Sequence, residues 1–130
     1  KKSNLEYIVL GDWDYQEKAW QEIEKENKKT VFLCTGDMFA LDIMRDFKKK
    51  GKYAGKDYGI MGYDNIDFLE YVSPRLTTIE NHVEKVAEEA LNLLLELMDK
   101  SKNAEESRIN KERILETATV EGETIKLLNR

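Results

Sequence analysis

The chain has 130 residues, 41% of them apolar and 36% charged, and its formal net charge is −5. This length is typical of one domain with its own core, and the acidic surface repels the phosphates that supply most non-specific DNA affinity. The single cysteine, Cys34, excludes a disulfide framework and a cysteine-based zinc site, and no apolar run approaches the roughly 20 residues of a membrane span.

Buried strands and amphipathic helices alternate along the first half of the chain. The pattern predicts, in order, a strand at 5–10, a helix at 15–27, a strand at 30–34, a helix at 38–50 and a strand at 57–61. Asp14 and Asp37 stand where N-caps of the two helices belong, and Gly51 stands where a C-terminal glycine belongs.

The second half of the chain is dominated by one long helix. A short helical turn at 66–71 is broken by Ser73-Pro74, and an extended stretch at 76–79 leads to the helix at 81–100. The apolar residues of this helix form more than one stripe, so it needs burial on more than one side. A polar loop at 101–107 and a last strand within 109–120 follow, with Gly122 in a turn.

The alternation of strands and helices predicts an α/β fold, a three-layer sandwich with a parallel sheet covered on both faces. In such sheets ligands bind beyond the carboxyl ends of the strands. The three predicted strand ends carry Trp13, then Thr35, Gly36 and Asp37, and then Asp64. An aromatic face, carboxylates and glycines together suit a small polyhydroxylated or planar ligand.

Each of these residues also has a structural interpretation. Asp37 fits a helix cap, Trp13 fits a core position, and Asp64 fits ordinary turn chemistry. The lysines near the end of the 38–50 helix are typical of a solvated helix terminus, and His82, the sole histidine, is expected at the surface.

No catalytic set stands out, because the chain has neither a glycine-rich phosphate loop nor a nucleophile elbow. Acid–base chemistry by Asp12, Asp37 or Asp64 stays open, although nothing requires it. No metal site and no cofactor are predicted.

Three motifs carry a family resemblance. C-T-G-D-M-F-A-L at 34–41 resembles the LacI/GalR stretch A-N-D-x-x-A-x-G, and G-I-M-G-Y-D-N at 59–65 resembles S-V-V-G-[FY]-D-[DN]. Y-V-S-P-R-L-T-T-I at 71–79 is close to Y-L-x-P-P-L-T-T-[VI]. The motifs stand in family order with matching gaps, and Gly11-Asp12-Trp13 fits upstream, so the chain resembles LacI/GalR regulators over about 7–119.

Three departures from the family pattern accompany the resemblance. Gly36 replaces the common asparagine, E-T-A-T at 116–119 replaces R-x-S-T, and Y-A-G-K-D at 53–57 replaces the usual V-P-E-D. The change at Gly36 removes an amide contact to a sugar hydroxyl, so a sugar and a purine-like effector both remain open.

The resemblance implies a fold of the periplasmic-binding-protein-like type I, with an effector bound between two lobes. Residues 1–130 would form the C-terminal lobe as a single effector-binding unit, and the helix at 81–100 would cross over and pack on an N-terminal lobe outside this chain. Family contacts transfer to Trp13 and Asp64, and the site would also include Thr35, Gly36 and Asp37.

The function implied is effector sensing in a cytoplasmic bacterial transcription regulator, with no enzymatic activity. DNA would be bound only through a helix-turn-helix domain outside this chain, and no membrane is involved. The broad apolar helix at 81–100 predicts a homodimer. A sugar-binding protein of a transport system with the same fold is the alternative, and an enzyme on a similar scaffold is a third hypothesis.

Overall fold

The computed structural model describes residues 14–25, 29–100 and 112–125. The predicted strand at 5–10, Trp13 with the glycine and aspartate before it, and the predicted loop at 101–107 lie outside the described residues. The described elements are, in chain order, α1 (Tyr15–Glu24), β1 (Val31–Leu33), α2 (Asp37–Lys49), β2 (Gly59–Met61), a 3-10 turn (Asp67–Tyr71), β3 (Thr78–Glu80), α3 (Val83–Lys100) and β4 (Ala118–Val120).

The strands form a parallel pair and an antiparallel pair. In the first pair Phe32 of β1 lies opposite Ile60 of β2, and a further parallel bridge joins Met61 to Thr77. In the second pair Ile79 of β3 lies opposite Thr119 of β4, and these strands run antiparallel. The strand–helix–strand order before β2 therefore gives the parallel pairing that it predicts. The order around α3 does not, because this helix does not fold back over the sheet as a parallel crossover requires.

The core lies between α1 and α2 on one side and the β1–β2 pair on the other. Its aromatic rings meet edge to face, with centroids 5.2 Å apart for Trp20 and Phe47, and 5.0 Å apart for Phe47 and Tyr58. Ile60 in the middle of β2 is fully buried beneath them. The apolar positions of α2 that are buried in this core repeat at helical spacing: Ala40, Ile43, Met44 and Phe47.

The two ends of α2 differ in how well the sequence predicts them. Gly51 follows the helix with φ +81°, and its N–H donates to Lys48 O over 3.1 Å, which confirms the C-terminal glycine. The prediction that Asp37 caps the helix is wrong. Gly36 is the N-cap residue, and Asp37 is the first residue inside the helix with no side-chain cap.

Asp14 precedes α1 as predicted, but its side chain does not cap the helix either. Its carboxylate instead forms an ion pair with Lys18, one turn along the helix, over 3.1 Å. The position of the helix start follows from the sequence, whereas the partner of the carboxylate does not.

The helix α3 is the least buried element of the described structure. The exposed fraction of its large apolar side chains reaches 63% at Val83 and 53% at Leu94. On its polar side Arg113 Nη2 lies 2.8 Å from Glu96 Oε2, so the segment before β4 runs along this helix. Within the described ranges, no helix is long and apolar enough to cross a membrane.

Candidate functional site

The site is built around the turn that follows β2. The backbone of this turn is held by β3 and the residues before it: Gly62 N donates to Thr77 O, and Asp64 N donates to Ile79 O, each over 2.9 Å. Asp64 and the next residue, Asn65, have φ values of +108° and +52°. Aspartate and asparagine tolerate the left-handed region better than other side-chain-bearing residues, which explains why the turn carries them.

The Asp64 carboxylate points from this turn toward the start of α2. Its Oδ1 accepts a hydrogen bond from Asn81 Nδ2 over 2.9 Å. Its Oδ2 lies 3.6 Å from the position that a Cβ atom would take on Gly36. Among the described residues Oδ2 accepts no hydrogen bond, so this oxygen is available to a ligand donor.

Gly36 and Thr35 occupy the end of β1 beside that oxygen. Gly36 is buried in extended backbone, and a Cβ atom there would lie 3.5 Å from the ring of Phe39, at ordinary contact distance. Thr35 is exposed. Phe39 itself is 39% exposed, so its aromatic ring also borders the site.

Asp37 takes a different place from the other predicted site residues. It is 1% exposed, and both of its oxygens are occupied: Oδ1 accepts from Thr78 Oγ1 over 2.5 Å, and Oδ2 accepts from Ile66 N over 3.0 Å. Its backbone N–H donates to Tyr63 O over 2.8 Å. The carboxylate therefore ties the start of α2 to β3 and to the residue after the Asp64 turn, and the backbone N–H of Asp37 binds the residue before it.

Gly62 shows why the turn begins with a glycine. A Cβ atom at this position would overlap Asp37 Oδ1 and would lie 2.9 Å from Leu76 Cδ2. The glycine of G-Y-D at 62–64 thus makes room for the buried carboxylate of Asp37.

The two threonines of the T-T motif link the strands. Thr78 binds Asp37, and Thr77 N donates to Thr124 Oγ1 over 2.9 Å. Thr124, fully buried, donates the same hydroxyl to Ile60 O over 2.7 Å. A side-chain hydroxyl thus joins β2 to the strand beside it, a role that no sequence pattern at 124 indicated.

Sequence reasoning also missed Glu80, the last residue of β3, and Asn81, which follows it. Glu80 accepts hydrogen bonds from Asn65 Nδ2 over 2.6 Å and from His82 N over 2.9 Å, and the first of these chiefly lowers the Glu80 pKa. The motif ends just before these residues, so their proximity to Asp64 could be inferred only from the pairing of the turn with β3. His82 lies at the surface as expected, with 43% of its side chain exposed.

Cys34 lies at the end of β1, behind the site. Burial raises the pKa of its thiol to about 11, and the negative charge of Asp37 adds to the shift. The thiol is therefore protonated at neutral pH and is a poor nucleophile.

Among the described residues, the arrangement offers a ligand one unpaired carboxylate oxygen, Asp64 Oδ2. No group of three or more histidine, cysteine, aspartate or glutamate side chains in the described ranges could hold a metal ion. A cavity of about 230 Å³ lies between α2 and the segment at 72–74, where Leu41, Met44 and Pro74 contribute to its lining. Thr35, Gly36, Asp37 and Asp64 are not among its lining residues, so it is separate from the Asp64 carboxylate.

Comparison with protein families gives one match across almost the whole chain. A family described as periplasmic binding protein-like domain matches residues 5–125. Among curated proteins, the HTH-type transcriptional repressor PurR of Vibrio atlanticus is 37% identical over 112 residues, which are 85% of this chain and 32% of that protein. The repressor CytR of Escherichia coli is 33% identical over 96 residues, covering 72% of this chain and 28% of its own length.

Solved structures agree on the fold. A LacI family transcriptional regulator from Enterococcus faecalis, crystallised with bound ribose, superposes with a TM-score of 0.70 and 32% identity over 89% of this chain and 41% of its own. The lac repressor dimer bound to operator superposes with a TM-score of 0.71 and 24% identity, over 88% of this chain and 39% of its own. The chain thus spans about a third of the length of the curated relatives that it matches.

Proposed function

The chain belongs to the periplasmic binding protein-like family, in the form found in the effector-binding domain of LacI/GalR-type repressors, and we propose that it is the ligand-sensing part of a bacterial transcription regulator. The observation that supports this proposal best is Asp64 Oδ2. It is an acceptor without a partner among the described residues, beside Gly36 at the carboxyl end of the parallel strands, where ligands of α/β sheets bind.

The proposed effector is a small molecule that offers a hydroxyl or a ring N–H group to Asp64, as a sugar or a purine-like compound does. Trp13, Thr35 and Gly36 complete the contact set, and Asp37 supports it by fixing the turn that carries Asp64. The ribose in the Enterococcus faecalis relative favours a sugar as the first ligand to test.

The proposed domain organisation makes residues 1–130 one effector-binding lobe. In it, residues 81–100 cross to an N-terminal lobe that lies outside this chain. The exposed apolar side of α3 supports this, because a face of that width needs a covering surface. The effector would then bind between the lobes and shift the balance between DNA-competent and DNA-incompetent states.

The partners that we propose follow the same relatives. The protein acts as a homodimer in the cytoplasm, contacts DNA only through a domain outside this chain, and is not an enzyme. Curated relatives that are repressors favour this over a transport protein of the same fold.

A thermal-shift screen of sugars and purines on the full-length protein tests the sensing function. We expect ribose or another member of the panel to raise the melting temperature of the wild type by several degrees, since a ligand at about 100 times its Kd adds about 2.7 kcal/mol. Asp64→Ala should abolish that shift. Asp67→Ala, a matched change at an exposed aspartate three residues away, should preserve it. A shift that survives in Asp64→Ala contradicts the site assignment.

Light scattering over micromolar concentrations tests the oligomeric state. Without the N-terminal lobe that would cover α3, we expect the 130-residue chain to dimerise through this helix. Leu94→Glu should convert the dimer to a monomer, because this change charges the exposed apolar side of α3. Asn92→Glu on the polar side of the same helix is the matched control and should leave the dimer intact. A wild-type chain that stays monomeric throughout contradicts the role of α3 in association.

A further inference from the structure

Two side-chain hydrogen bonds join the Asp64 turn to the segment formed by Glu80, the last residue of β3, and Asn81. Asn81 Nδ2 donates to Asp64 Oδ1 over 2.9 Å, and Asn65 Nδ2 donates to Glu80 Oε2 over 2.6 Å. The turn and the segment are thus fastened to each other at two successive positions.

The backbone on both sides of this junction is unusual. Asp64 and Asn65 have positive φ values, and so does His82, which directly precedes α3 at φ +50°. A residue with a side chain keeps this conformation only where its surroundings hold it. The direction in which α3 leaves the sheet is therefore set within one residue of the Asn81 contact.

The amide of Asn81 has one polar contact among the described residues, and it is the one to Asp64. Its Oδ1 atom is buried and accepts no hydrogen bond within the described part of the chain. The donor end of this side chain therefore serves Asp64, while the acceptor end is unpaired. A side chain retained only for packing would not need a buried polar group of this kind.

The bond to Asn81 also decides which carboxylate oxygen meets the ligand. With Oδ1 held by the amide, the carboxylate has its Oδ2 on the side of Gly36. Without the amide, the carboxylate could rotate about its terminal torsion, which has a broad and shallow preference.

We propose that Asn81 is a positioning residue that fixes the Asp64 carboxylate for the ligand and connects ligand capture to the start of α3. This inference rests on the proposed function, because it takes Asp64 to be the effector contact. The connection acts in both directions: ligand on Oδ2 favours the orientation of α3 that keeps the Asn81 bond, and a movement of α3 that breaks the bond weakens binding.

The variant Asn81→Leu separates positioning from a general structural role. Leucine has a similar shape and removes both the donor to Asp64 and the unpaired buried acceptor. A structural role predicts a lower melting temperature, whereas a positioning role predicts weaker binding with a melting temperature within about 2 °C of the wild type, since a lost hydrogen bond and a lost unpaired acceptor offset each other. Asn92→Leu, the same change at an exposed site of α3, is the matched control for both readouts.

The first experiment needs no ligand. The side-chain amide signals of Asn81, assigned in an NMR spectrum of the 15N-labelled full-length protein from their absence in Asn81→Leu, should shift and exchange faster with water in Asp64→Ala. Signals that are unchanged in Asp64→Ala overturn the proposal, because the amide would then not be bound to the carboxylate in solution.

The second experiment titrates D-ribose into the same protein by calorimetry. We expect Asn81→Leu to weaken ribose binding by about tenfold, the effect of one hydrogen bond to a charged group, and Asn92→Leu to leave it unchanged. An affinity in Asn81→Leu equal to that of the wild type, or an equal loss in Asn92→Leu, overturns the positioning role.

Amide hydrogen exchange measures the connection to α3. Ribose should slow exchange in the first turn of α3 in the wild type and not in Asn81→Leu, and equal slowing in both proteins overturns the connection. If ribose does not bind the wild type, the sugar response fails as a proposed function. The contact itself is then judged by the NMR spectrum alone.

Discussion

Gly62→Ala tests most directly whether the Asp64 turn depends on close packing between Gly62 and the buried carboxylate of Asp37. The added methyl group would overlap Asp37 Oδ1, lie 2.9 Å from Leu76 Cδ2 and lie 3.1 Å from Asp37 Cα. The Leu76 side chain can move, but the Asp37 Cα belongs to the backbone at the start of α2. The clash is therefore relieved only if the turn and the helix move apart.

The cost can be estimated from these contacts. Overpacking a well-filled interior by a methyl group costs about 1–3 kcal/mol. Displacing Asp37 also weakens its bonds to Thr78 and Ile66, two hydrogen bonds to a buried carboxylate. We therefore expect Gly62→Ala to lose about 3 kcal/mol of unfolding free energy, which is about 10 °C in melting temperature for a chain of this size.

Gly36→Ala is the matched control. Its backbone is extended, and its new methyl group would meet the nearest atoms at 3.5 Å, an ordinary contact distance. We expect a change within about 1 kcal/mol. Urea denaturation of both variants, followed by circular dichroism, gives the two free energies. Equal losses, or a loss below about 1 kcal/mol in Gly62→Ala, would refute the claim that Gly62 is required by the buried carboxylate.

Three further predictions concern single groups. Tyr58 has a buried hydroxyl with no partner among the described residues, and that burial raises its pKa. Tyr58→Phe should therefore raise the unfolding free energy measured by urea denaturation by about 1 kcal/mol. A loss of unfolding free energy above that size contradicts this prediction. Burial chiefly raises the pKa of the Cys34 thiol to about 11. The thiol should therefore react with iodoacetamide at pH 8 on the order of 100 times more slowly than free cysteine. A rate similar to that of free cysteine would show that the thiol is accessible and ionised. The Glu80 pKa is lowered mainly by the Asn65 hydrogen bond, so Glu80 adds stability above pH 4.5 that is lost as the pH falls through its lower folded pKa. The difference in unfolding free energy between the wild type and Glu80→Gln should therefore shrink in that pH range. A constant difference contradicts the assignment.

The fold follows from the sequence where local pattern and local contact coincide. The apolar spacing of α2 and the glycine after it placed that helix to within one residue, because each feature acts within a few residues of its own position. The same holds for the parallel pairing of β1 with β2, which the helix between them imposes.

The partners of polar side chains follow from the sequence much less well. Asp37 has the residue type and position of a cap, but its carboxylate binds Thr78, 41 residues later in the chain. Capping would have used a backbone N–H within a few residues of Asp37. The carboxylate instead binds two partners, Thr78 and Ile66, that only the tertiary fold brings close. Thr124 and Asn81 were missed for the same reason, since nothing within a few residues of either indicates what it contacts.

The turn of Asp64 and the helix α3 are connected, but the turn has many contacts with the rest of the structure and the helix has few. On one side the turn is fixed by backbone bonds to β3 and by the buried carboxylate of Asp37. On the other side Asn81 connects it to a helix whose large apolar side chains are mostly exposed. The turn is rigid, whereas α3 has few contacts of its own. Any surface that covers α3 therefore also acts on the carboxylate that we assign to the ligand, through the hydrogen bond from Asn81 to Asp64. Under the proposed function, ligand binding would then depend on what packs against α3 as much as on the residues around Asp64.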